Sequence, residues 1–203
     1  MLIDHPPALL KTLYPSLEWT ISSKKKEVFL TFDDGPTPGL TDKVLDIMSE
    51  NQAKGTFFCL GKNVEDNPKL YQRILAEGHA VGNHTFNHLN GWKSKSMTYY
   101  ENVKQANKVI ESKLFRPPYG RIKPSQINLL KNKYRIIMWS HLSRDYDPRM
   151  TVDDCMKICL KNLSPGSILV FHDSVKAGDT LIPLLKALLK KINTLGLNAS
   201  AIS

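Results

Sequence analysis

The chain of 203 residues is 41% hydrophobic and 23% charged, enough apolar material for one buried core and a composition that excludes a disordered polymer. Its longest apolar runs fall far short of the ~20 residues that a membrane span needs. The formal charge of +9 suits a polyanionic partner, but a solvated lysine surface is the simpler reading, and with no helix-turn-helix or RNA-binding signature no nucleic-acid partner is expected.

Residues 1–25 read as an N-terminal extension ending in the basic run Lys24-Lys25-Lys26, and residues 26–203 as a single domain. No charged segment leads into a continuous apolar stretch between Met1 and Trp19. That pattern predicts a cytoplasmic address, or an extracytoplasmic one if a leader has been trimmed away. Strand-like and helix-like segments then alternate. Residues 28–32 form an apolar, β-rich run, followed by a helical pattern with Val44, Leu45 and Met48 on one side. Residues 56–60 are the next strand, and the helix after it is punctuated by Asn67 as N-cap, Pro68 in the first turn and Gly78 beyond its end. A short strand at 79–82 precedes a helix over about 96–112 with Val103, Ala106 and Ile110 facing inward. Residues 114–116 read as a strand end, with a helix after Pro124. Residues 136–139 form another strand, and Thr151 to Asp154 opens a helix with a capping-box pattern. After a strand at 168–171, the last helix carries Leu181, Leu185, Leu188 and Ile192 and stops at Gly196 before a final strand-like segment. Seven β segments alternating with helices argue for a parallel α/β architecture, either a barrel or an open sheet. Cys59, Cys155 and Cys159 match no disulfide framework or zinc knuckle; Cys155 and Cys159 share a helix face and read as buried free thiols, although that face could join a metal site.

In such folds reactive residues gather where strands end, because those loops open on one face. Asp33 and Asp34 follow the first strand, His84 and His88 the strand at 79–82, and Arg116 the segment at 114–115; Asp145 lies beyond Trp139, and His172 ends the strand at 168–171. His84 and His88 are four apart, so a helix would place both imidazoles on one side for bidentate metal ligation. No Glu follows His84, which excludes the HExxH protease arrangement. Adjacent carboxylates at Asp33 and Asp34 repel, and burying both is costly unless a cation compensates. Neighbours at a strand end also point different ways, so one can hold a metal while the other reaches its water. Gly35 and Pro36 would fix the turn.

Thr31 to Pro36, His84 to His88, Arg116 to Gly120, the segment from Trp139 to Tyr146 and Leu169 to His172 resemble, in order, the five motifs of the NodB-type polysaccharide deacetylases, carbohydrate esterase family 4. The resemblance runs from about Glu27 to the C-terminus. It implies a distorted (β/α) barrel with about seven parallel strands and a divalent metal, most often zinc with cobalt possible, held by Asp34, His84 and His88. It further implies Asp33 as general base, Arg116 holding Asp33, the backbone N–H of Tyr119 as oxyanion donor, and His172 as general acid oriented by Asp145. Two positions depart from the family's fourth motif, Asp-x-x-Asp-Trp: Leu142 stands for the first Asp and Tyr146 for the Trp. Tyr146 and Val170 are expected to wall the acyl pocket. Trp92, Phe86, Tyr99 and Tyr100 could form a sugar-stacking platform or simply be core, and His79 and His141 read as structural.

The function implied is removal of N-acetyl groups from N-acetylglucosamine units of a carbohydrate such as peptidoglycan or a chitin oligosaccharide. The same site could serve a small amide or imide, and a non-catalytic carbohydrate-binding homologue is a third reading, opposed by retention of Asp33 and His172. Two histidines and one carboxylate also match a non-haem iron triad, whose chemistry has no use for Asp33 or a general acid at a strand end.

Overall fold

In the computed structural model, which describes residues 4–23 and 25–203, nine strands form among the described residues. They are β1 (Leu17–Glu18), β2 (Glu27–Asp33), β3 (Gly55–Cys59), β4 (Ala80–Asn83), β5 (Leu114–Phe115), β6 (Arg135–Ile137), β7 (His141–Leu142), β8 (Ile168–His172) and β9 (Asn198–Ala199). Residues 1–3 of the expected extension and Lys24 of the basic run lie outside the described residues. The helices are α1 (Ala8–Leu13), α2 (Thr41–Glu50), α3 (Gly61–Asp66), α4 (Pro68–Ala76), α5 (Ser96–Ala106), α6 (Pro124–Leu130), α7 (Val152–Leu160) and α8 (Gly178–Thr194).

Paired strands are parallel, in the order β1-β6-β5-β4-β3-β2-β8-β7, with β9 added to the start of β2. This is the expected distorted (β/α) barrel, with two strands beyond the seven read from sequence. The additions, β1 and β7, are two residues long and are defined by their pairing with β6 and β8. Part of the expected extension is therefore woven into the sheet through Leu17 and Glu18, which pair with Ile136 and Ile137.

β2 shows how the pattern selects the layers. Val28, Leu30 and Phe32 point out to the helices and pack with Leu169, Phe171, Leu181 and Leu185. Phe29 points into the barrel with Phe58 and Ile168, as side chains alternate along a strand. Both faces are buried, so the run reads as continuously apolar. Each fully buried Phe or Leu contributes about 1.5–3 kcal/mol.

Three local expectations change. Asn67 sits at the N-cap of α4, but its side chain donates to the Asn63 carbonyl instead of capping, because α3 ends there and offers that acceptor. α5 stops at Ala106; Lys108 and Val109 then bond three residues back, tightening the chain into a turn. The strand expected at 136–139 is β6, which ends at Ile137, although Met138 N–H still bonds the Glu18 carbonyl of the neighbouring β1. Thr151 caps α7 with the capping box that its sequence predicts.

Candidate active site

Register brings the reactive residues to one level. Asp33 pairs with His172 and with Phe58, Cys59 pairs with Asn83, and Asn83 pairs with Phe115. Asp33 and His172 are thus last residues of adjacent strands, and His84 and Arg116 each stand one residue past the end of theirs. All meet at the C-terminal mouth of the barrel, where a cavity of about 500 Å³ opens.

Arg116 is fully buried and lies over the Phe58 ring, 4.1 Å from its centre. Its guanidinium donates to the Ile137 and Met138 carbonyls, the Thr31 hydroxyl and Asp33 Oδ1, the last two at 2.7 Å. Burial pulls the Arg116 pKa down from its ordinary value against the opposing charge of Asp33. One carboxylate oxygen of Asp33, Oδ1, is thereby occupied.

The segment 84–88 is not helical. Thr85 and His88 have left-handed φ of 67° and 60°, and this loop geometry, not the expected helix face, brings the two imidazoles to 5.2 Å between ring centres. His84 Nδ1 is 2.8 Å from the Arg116 carbonyl. A carbonyl only accepts, so Nδ1 carries the proton and Nε2 keeps its lone pair. Burial drives His84 down to about 4, so the ring is neutral. Asp34 adopts φ 80°, with its backbone carbonyl tied to Asn63 Nδ2 at 2.7 Å. Its Oδ1 is buried without a hydrogen bond, 3.1 Å from His88 Nε2 and 3.7 Å from His84 Nε2. Burial would raise this carboxyl, but His88 and the other nearby imidazoles hold it well below the usual carboxylate range. One anionic oxygen and two imidazole nitrogens, all within 4.8 Å of one another, are a donor set that fits a borderline divalent cation.

On the opposite side Asp145 is buried, accepting from His172 Nδ1 and the His172 backbone N–H, each at 2.8 Å. Burial disfavours the imidazolium, yet Asp145, helped by Asp34 and Asp33, lifts His172 to about 9. Tyr146 packs against the edge of His172, with ring centres 4.7 Å apart, and Val170 lines the same wall. The Tyr119 ring lies 4.4 Å from His88, and its backbone is left-handed at φ 60°. All ten sequence-named residues are therefore at one mouth: Asp33, Asp34, His84, His88, Arg116, Tyr119, Asp145, Tyr146, Val170 and His172.

Asp173 is a residue that sequence reasoning missed. It is fully buried, takes the Gly35 N–H at 3.0 Å and the Thr41 hydroxyl, and sits so close that a β-carbon on Gly35 would lie 2.0 Å from its Oδ2. It thus braces the turn that leaves Asp34. Its signal was only adjacency to His172. Trp139 and Leu142 also line the cavity, so the Leu that replaces the motif's first Asp is part of an apolar wall. Elsewhere, His79 accepts the Gly55 N–H and His141 bonds the Lys161 carbonyl, both structural positions. Cys155 and Cys159 are buried free thiols on α7, outside the candidate metal cluster. Tyr99 is core, whereas the Trp92 ring is exposed.

A parallel α/β barrel with a carboxylate anchored by Arg116 and an imidazole anchored by Asp145 near a carboxylate–imidazole cluster fits a hydrolytic enzyme class. The chain belongs to the polysaccharide deacetylase family, whose model matches residues 20–134, as its five motifs predict. It is similar to a peptidoglycan-N-acetylglucosamine deacetylase of Bacillus cereus, 32% identical over 93% of this chain and 92% of that protein. It is likewise similar to a chitooligosaccharide deacetylase of Azorhizobium caulinodans, 33% identical over 75% of this chain and 76% of that one. The solved peptidoglycan N-acetylglucosamine deacetylase Bc1960 superposes with a TM-score of 0.87 at 29% identity, covering 97% of this chain and 95% of that one. No helix among the described residues is long and apolar enough to cross a membrane.

Proposed function

We propose that the chain removes N-acetyl groups from N-acetylglucosamine units of a glycan, peptidoglycan or a chitin-like oligosaccharide, with a divalent metal, zinc or else cobalt, held by Asp34, His84 and His88. The reading is carried by one observation: the unsatisfied Asp34 Oδ1 and its two imidazoles lie between a carboxylate anchored by Arg116 and an imidazole anchored by Asp145. When bound, such a cation supplies Lewis-acid polarisation of the acyl carbonyl and acidifies the attacking water.

Asp33 is assigned as general base. Arg116 fills Oδ1 and the ladder fixes the backbone, so Oδ2 faces the reaction and accepts the water proton. His172 is assigned as general acid. Asp145 holds its Nδ1–H, which leaves Nε2 to deliver a proton to the departing amine, a poor leaving group until protonated. The raised pKa of about 9 keeps that proton available at neutral pH. The Tyr119 N–H is assigned to the acyl oxygen, and Tyr146 and Val170 to the wall around the acyl methyl, with Trp139 and Leu142 completing it. The domain division, with residues 26–203 as the catalytic unit, is part of the same proposal.

Acetate release from chitin oligosaccharides, peptidoglycan fragments and small N-acyl amides tests it, using metal-loaded and chelated protein side by side. Release from the sugars only when metal is present supports the reading. Turnover confined to small amides would transfer the site to that substrate class, and release unaffected by chelation would remove the metal.

A further inference from the structure

A second cavity, of about 540 Å³, shares Tyr119, Gly120 and Trp139 with the first. Its floor is Trp139 and Trp19, whose rings meet edge to face 6.3 Å apart. Residues before β1, including Leu10 and Tyr14, close one side, and Trp92 and Arg121 stand on the other. The Trp92 ring is 60% exposed but does not swing freely: its Nε1 donates to the Ile122 carbonyl at 3.3 Å. The loop beneath it is braced, since Gln126 donates to the Gly91 carbonyl at 2.9 Å and a β-carbon on Gly91 would lie 2.3 Å from the Arg121 carbonyl. A flat apolar face held rigidly in water suits a sugar ring, because little ordering remains to be done on binding.

Charge narrows the ligand further. The cavity's charged lining is Arg121 and Lys123, with no carboxylate. Lys123 Nζ is committed to the Ser94 carbonyl at 2.7 Å. The Arg121 guanidinium lies 5.2 Å from the centre of Trp92 and 5.9 Å from that of Tyr119, without an acidic partner among the described residues. A guanidinium lying over two aromatic faces, with no carboxylate paired to it among the described residues, keeps its donors for a planar anion.

Resting on the reading of the first cavity as a glycan deacetylase site, we propose that the second is a subsite for the neighbouring sugar unit. That unit bears a carboxylate, read by Arg121, and stacks on Trp92. The protein is thereby built for an acidic glycan over a neutral one, with Tyr119 bridging the two cavities.

The test titrates metal-free protein with two probes, the disaccharide of N-acetylglucosamine and N-acetylmuramic acid and neutral diacetylchitobiose, following tryptophan fluorescence and calorimetry. The acidic probe should bind about tenfold more tightly, the worth of one charge-assisted hydrogen bond. Arg121→Gln should erase the preference, Arg121→Lys should retain part of it, and Trp92→Ala should weaken both probes. Melting temperatures matched to the parent establish that each variant is folded. Equal affinity of the parent for both probes, or an unchanged preference in Arg121→Gln, overturns the proposal, as does occupation of the cavity by a second copy of the chain. If the binding pattern holds while metal-loaded protein releases no acetate from either probe, the subsite stands and the deacetylase reading falls.

Discussion

Asp145→Asn isolates the acid side of the site. Both groups that Asp145 receives, the ring Nδ1–H and the backbone N–H of His172, are donors at 2.8 Å. An amide has only one accepting oxygen, so asparagine turns an NH₂ group toward one of them. The charge that lifts His172 against burial to about 9 disappears as well. The ring should then fall back to about 6.5 or lower. At pH 8 the protonated fraction drops from about 0.9 to about 0.03, a roughly thirtyfold loss of the proton donor. At pH 6 the two proteins differ by only about a quarter in this fraction. A pH–rate profile of acetate release at equal metal loading reads this directly: the alkaline limb should move from near 9 toward 6.5 or below. An additional pH-independent loss is expected from the disturbed tautomer. A slow variant whose alkaline limb coincides with the parent's would refute the argument that Asp145 sets the acid.

The same pair has a stability signature in chelated protein. His172 has a native pKa above its ordinary 6.5, so its contribution of about 3 kcal/mol is fully present below pH ~6.5 and is lost as pH rises through about 9. Melting temperature should fall across that window, and Asp145→Asn should flatten the curve. His88→Ala removes one imidazole from the Asp34 cluster, and elemental analysis after dialysis should show bound zinc falling from about one per chain toward none, with acetate release lost. Gly35→Ala forces a β-carbon against Asp173, so urea unfolding should report a loss of about 1–3 kcal/mol; a neutral result would mean that the Asp173 brace is loose. Arg116→Met leaves the buried Asp33 charge uncompensated and should cost about 3–5 kcal/mol by the same measurement.

The alternation of apolar strands with helices, and the placing of polar residues at strand ends, were enough to read the parallel α/β class and which residues gather at one mouth, because burial periodicity and strand-end chemistry are local properties of the chain. The five motifs carried the residue roles further, by resemblance. β1 and β7 left no such trace: they are set by pairing with the neighbouring strands β6 and β8. Tertiary structure alone decided that His84 and His88 meet through a loop of left-handed residues instead of a helix. It also decided that Asp173, silent in sequence, braces the Gly35 turn, and that Trp92 and Arg121 share a cavity with Trp19 from before the first long strand. The Asp173 brace and the shared cavity join residues far apart in the chain, so their energies depend on register and packing, which no local pattern encodes.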